Sequence, residues 1–121
     1  MNTTKKILLP LLISSGAIAS SVWAHATLES AVPGKNAELA TAPTEVRLRF
    51  NENLEGNFSS IKVIDAGGKD VVPKKATVDA ADQKILHAPL DLIQPGKYKV
   101  KWVGVGHDGH RRTGDYTFSV R

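Results

Sequence analysis

Cysteine is missing from this chain, and its one methionine is Met1. The first absence excludes disulfide staples, so the fold rests on its own core, and it excludes thiolate metal centres. The second excludes thioether ligation once the leader described below is removed. No apolar run is long enough to cross a membrane as a helix: Ile7 to Ile18 is broken at Pro10, Ser14, Ser15 and Gly16. No stretch carries a ten-residue helical period, and there is neither an internal repeat nor a low-complexity segment. Beyond residue 24, lysines and acids are interspersed except at Lys74-Lys75 and Arg111-Arg112. That pattern excludes a basic stripe that would track a nucleic acid.

What is present begins with a leader. Lys5 and Lys6 form a basic head, the apolar run follows, and small residues lead to Val22-Trp23-Ala24. This is the pattern of a cleavable secretory signal, residues 1–24. Cleavage after Ala24 exposes His25 as the new N-terminus; cleavage after Ala26 is the alternative, since Ala24-His25-Ala26 fits the small-x-small rule slightly better. Residues 25–121 then form one domain of a size to bury a single core. The leader carries two of the sixteen Lys+Arg and none of the twelve Asp+Glu, which leaves a net charge of +2.

Along the domain the period is two. An opening strand is expected at Ala26 to Glu29, before Pro33-Gly34. Val46, Leu48 and Phe50 alternate with Arg47 and Arg49, and Ile61 and Val63 with Lys62 and Ile64. Val71-Val72-Pro73 suits only an edge. Val78 to Gln83 reads as a polar connection and Lys84 to Leu90 as a short strand. After the Pro95-Gly96 turn, Tyr98, Val100 and Trp102 face inward and Lys97, Lys99 and Lys101 outward. Tyr116, Phe118 and Val120 repeat the pattern. About seven such strands predict an all-β, antiparallel, immunoglobulin-like sandwich with Phe50, Trp102, Tyr116 and Phe118 in its core.

Chemistry gathers at His107-Asp108-Gly109-His110, read as a tight turn between strands with Gly114 closing it. Asp-Gly is an ordinary turn dipeptide, and a histidine beside it is more often solvated than ligating. Two features weigh against that bland reading. Export creates an amine directly on the His25 imidazole, a chelating pair, and Asp108 and His110 can face one side of the turn. An amine, two imidazoles and a carboxylate form a tetragonal N,O set, which favours Cu(II) among first-row ions.

The domain resembles the CopC-type periplasmic copper-binding proteins along almost its whole length. The resemblance is carried by His25 after the leader, Pro33-Gly34, Ala42-Pro43 and Phe50-Asn51-Glu52. It continues through Pro95-Gly96-x-Tyr98-x-Val100-x-Trp102, Asp108-Gly109-His110-x-x-x-Gly114 and Tyr116-x-Phe118-x-Val120. It implies a Greek-key sandwich, cleavage at His25, and one Cu(II) per chain held by His25, with its amine, Asp108 and His110. It also implies a periplasmic buffer or carrier in copper homeostasis or resistance, a monomer that is not an enzyme. The implied partner is an inner-membrane copper transport protein. Some relatives hold Cu(I) in a Met-rich loop that corresponds to Ala66–Lys75; without sulfur there, a Cu(II)-only protein is expected. His107 is expected to be solvated or to touch the ligands without binding metal. Glu52 is expected either near the amine or in solvent, and His87 in a structural role.

Two other readings remain in view. Copper-dependent oxidative enzymes also use an N-terminal histidine, but they lack the equatorial Asp, and this domain leaves little surface for a substrate platform. A non-metal immunoglobulin-like interaction module would carry the histidines incidentally.

Overall fold

The alternation at Glu45–Phe50 produces β3, with Val46, Leu48 and Phe50 fully buried (0 % exposed) and the intervening side chains half-exposed. It belongs to a computed structural model that describes Pro10, Gly16 and residues 26–91 and 93–121. The other strands are β1 (Leu28–Val32), β2 (Glu38–Leu39), β4 (Ser60–Ile64), β5 (Thr77–Val78), β6 (Ile85–Pro89), β7 (Gly96–Val105) and β8 (Arg111–Val120). One sheet runs β1-β3-β6-β5 and the other β2-β8-β7-β4. Only β5–β6 and β7–β8 join neighbours within a sheet; every other connection crosses from one sheet to the other. The result is the expected antiparallel-rich β-sandwich.

The two inner faces meet on a core that includes Val46, Leu48, Phe50, Val63, Leu86, Val100, Tyr116 and Phe118. The Phe50 and Trp102 rings, from opposite sheets, meet edge to face at 5.2 Å and 72°. Tyr98 and Phe118, directly opposite across β7 and β8, stack at 5.4 Å. Such pairs add about 0.5–1.5 kcal/mol beyond the area they bury. Both tyrosines also place their polar ends. The Tyr98 hydroxyl donates to the Gln94 carbonyl, and the Tyr116 hydroxyl donates to the Pro33 carbonyl at 2.8 Å. Burial pushes the Tyr116 phenol far above its ordinary pKa, so it stays a donor and pins the β1–β2 connection to β8.

Several details differ from the sequence reading. The opening strand is Leu28–Val32 rather than Ala26–Glu29, because Thr27 is taken up by Asn51: its amide donates to Asn51 Oδ1 at 2.7 Å and its carbonyl accepts the Asn51 amide at 3.0 Å. The described residues hold eight strands, two of only two residues, too short to show an alternation. One of these, β5, starts at Thr77 and takes Val78 from the expected polar connection. The other, β2, pairs parallel with Ser119 and Val120 at the end of β8. Val71–Pro73 forms no strand, although the Val71 amide donates to the Val63 carbonyl at 2.8 Å.

Candidate metal site

The long hairpin β7–β8 pairs continuously from Gly96↔Val120 to Val105↔Arg111, so Gly106 to His110 form its tip. The Gly109 amide closes the tip on the Gly106 carbonyl at 3.0 Å. Gly109 takes φ 79°, a conformation that a residue with a Cβ adopts only at a cost. Asp108, just before it, turns its carboxylate back over the tip. Asp108 Oδ1 accepts the His110 amide at 3.0 Å, and Oδ2 lies 3.0 Å from His110 Nδ1. Both side chains are about two-fifths exposed, so water and ions reach them. The carboxylate and the imidazole expected to share one side of the turn do so.

A third side chain, the acid Glu52, joins them. Glu52 leaves the end of β3 in a loop held at both ends, by Asn51 on Thr27 and by the Leu54 amide on the Gln83 carbonyl at 3.0 Å. Leu54 also bridges to Gly106. The Glu52 carboxyl lies directly against Gly106: a methyl group there would meet Glu52 Oε1 at 1.6 Å and Asp108 Oδ1 at 3.2 Å. Only glycine allows this approach. Glu52 Oε1 is buried and has no hydrogen-bond partner among the described residues. The loop glutamate is therefore turned inward beside Asp108 rather than into solvent. Its sequence signal was limited to its place after Phe50-Asn51.

His107 faces elsewhere, with Nε2 3.6 Å from Glu55 Oε1 and more than half of its side chain exposed. His87 lies on the outer face of the other sheet, between Glu45 (4.0 Å) and Asp79 (3.9 Å), far from the hairpin tip in the strand pairing. Gly114 does not close the turn. It sits within β8 opposite Trp102, and the indole covers it so closely that a Cβ would meet Cζ2 at 2.5 Å. The spacing to the Asp-Gly-His turn reflects packing of the tryptophan rather than turn geometry.

His25 lies outside the described residues. Among the described residues no group of three or more His, Cys, Asp or Glu side chains is placed to hold a metal ion. What they provide at the hairpin tip is one imidazole, one adjacent carboxylate and a second, half-buried carboxylate behind it. Such a set attracts a cation and has too few donors to enclose one.

Comparison with known proteins agrees along the chain. The CopC domain model matches residues 28–121. Protein YobA of Escherichia coli K12 is 38 % identical over 111 residues, 91 % of this chain and 90 % of that protein. Copper transport protein CutJ of Bacillus subtilis is 34 % identical over 99 residues, 81 % of this chain but only 18 % of that much longer protein. The crystal structure of PcoC, a methionine-rich copper resistance protein from Escherichia coli, superposes with a TM-score of 0.71 at 33 % identity, covering 81 % of this chain and all of PcoC. A domain model that spans the whole sandwich and relatives matched almost end to end place this chain in the CopC family.

Proposed function

We propose that this chain is a copper-binding protein that holds one Cu(II) and passes it on, acting as a buffer or carrier rather than as a catalyst. The observation that carries the reading is the Asp108–His110 pair. Metal–nitrogen and metal–oxygen bonds of about 2.0–2.1 Å at right angles put neighbouring donors about 2.8–3.0 Å apart. The separation of Asp108 Oδ2 and His110 Nδ1, 3.0 Å, matches that edge. An ion that takes the place of the proton between them needs little rearrangement of either side chain.

His25 completes the set in this proposal, through its imidazole and, after removal of residues 1–24, its free amine. Support comes from the anchoring around it: Ala26 is fully buried and Thr27 is fixed to Asn51, next in sequence to Glu52. His25 is one peptide step, about 3.8 Å between Cα atoms, from Ala26. Glu52 Oε1, buried and without a partner among the described residues, suits a nearby cationic or metal-bound amine. Nitrogen donors with an anionic oxygen favour Cu(II), and residues 25–121 contain no sulfur to hold Cu(I).

Carriage outside the cytoplasm follows from the leader, and a periplasmic location is part of the proposal. The relative named as a copper transport protein contains a region like this one within a far longer chain. That supports a membrane copper transport protein as the partner of the separate domain. Titration of residues 25–121 with Cu(II) tests the reading. One ion per chain, with the electron paramagnetic resonance of a tetragonal nitrogen-rich centre, is expected. Two tightly held ions, or a preference for Cu(I), would contradict it.

A further inference from the structure

The outer faces of the two sheets are charged in opposite styles. On the β1-β3-β6-β5 sheet the cations are matched: Arg47 with Glu45 and Asp79, Arg49 with Asp82 and Glu29. On the other sheet Lys62, Lys97, Lys99 and Lys101 all point into solvent. Among the described residues no carboxylate lies within ion-pair distance of any of them. Lys62 stands directly opposite Lys101 across β4 and β7, an arrangement of like charges that works against strand pairing. Three acids border this row: Asp115 opposite Lys101, Glu38 in line with Lys97 across Ser119 and itself paired with Arg121, and Asp65 just past the end of β4.

Strands are about 4.8 Å apart and alternate residues about 7 Å apart, so these ammonium groups lie within a screening length of about 8 Å at physiological salt. They act as one cationic surface. It lies on a stiff support, because Tyr98, Val100 and Phe118 fill the opposite side of the same strands. The alternation of β7 already places Lys97, Lys99 and Lys101 on one face; the strand pairing adds Lys62 beside them.

We infer that this lysine face is a docking surface for an anionic phospholipid bilayer. Charge complementarity requires an anionic partner, and the composition selects a bilayer over a protein. Specific protein interfaces are enriched in arginine and aromatic residues and depleted in lysine. Here the charges are flexible, strongly hydrated lysines, and the large exposed apolar residues, Val32 and Phe58, lie outside this row. A flat lattice of point charges fits a diffuse negative surface, with each lysine adding attraction that salt screens. The inference goes beyond the copper reading and does not depend on it: metal-free protein with an Asp108→Asn change should bind equally well.

The experiment is co-sedimentation of metal-free residues 25–121 with phosphatidylglycerol-containing vesicles, against pure phosphatidylcholine vesicles. Binding to the first alone, lost on raising the salt, is expected. Lys62→Glu/Lys99→Glu should weaken it by about tenfold or more, and Lys62→Gln/Lys99→Gln by less. Lys74→Glu/Lys75→Glu, the same change in net charge on the connection after β4, should retain most of it. Unchanged thermal transitions show that the variants are folded. Equal losses in the face and control variants would overturn the inference, since net charge alone would then explain binding. So would equal binding to both lipids, or binding to poly-glutamate with none to anionic vesicles, which would indicate a protein partner.

Discussion

Asp108 Oδ2 and His110 Nδ1 are 3.0 Å apart, while Oδ1 of the same carboxylate accepts the His110 amide. One side chain therefore fixes both the turn and the orientation of the imidazole. Asp108→Asn retains an acceptor for the amide but removes the anionic donor. The variant should keep its fold and lose Cu(II) affinity by at least about tenfold to a hundredfold, with a raised Cu(II)/Cu(I) potential. Metal titration and voltammetry check this; an unchanged potential would take Asp108 away from the ion.

His87 gives the opposite expectation. It shares its outer face with Glu45, Arg47 and Asp79, and none of these reaches the hairpin tip. His87→Ala should leave copper affinity unchanged and shift stability by no more than about 0.5 kcal/mol. A copper titration that separates the variant from the parent would reveal a second histidine site.

Gly114→Ala tests the packing beneath the site. The added methyl would press on the Trp102 indole at 2.5 Å, and a ring edge to face with Phe50 has little freedom to move. Overpacking of this kind costs about 1–3 kcal/mol. Denaturant unfolding should show that loss, with the copper stoichiometry unchanged. Had Gly114 served the turn instead, the hairpin tip and copper binding would suffer first.

Much of this was legible beforehand, and the rest was hidden for identifiable reasons. Val46, Leu48 and Phe50, or Tyr116, Phe118 and Val120, announce their strands because one face is buried and the other wet. Strands β2 and β5 are invisible because two residues cannot show a period, and the parallel pairing of β2 with β8 depends on chain path. Asp108 and His110 were readable because they share one turn. The inward course of Glu52 was not, since it follows from the missing side chain at Gly106, fifty-four positions away in sequence. The Lys62–Lys101 neighbourhood was hidden too, because it depends on the register of β4 against β7, strands far apart in sequence.

Acid should reveal the Arg49–Asp82 pair. The hydrogen bond from Arg49, then the Lys84 amide, hold the Asp82 carboxyl below its ordinary pKa. A depressed folded-state value stabilises the fold above the unfolded carboxylate pKa, and this contribution is lost as pH falls through the lower folded value. Both groups are open to solvent, so the effect should be small. Asp82→Asn should flatten the acid limb of a stability–pH curve and leave the neutral region nearly level. An identical acid limb in parent and variant would show that the pair contributes nothing.

The most direct test of the copper reading compares residues 25–121 with the same chain carrying one extra methionine before His25. The addition converts the amine into an amide, which must lose a tightly held proton before it can bind a metal. The His25 imidazole, Asp108, His110 and the whole sandwich remain. Both forms should show the same thermal transition without metal. Titrated against a common chelator, the extended form should bind Cu(II) orders of magnitude more weakly, each tenfold corresponding to about 1.4 kcal/mol. Equal affinities would contradict the account, because the hairpin tip would then bind without the chain end.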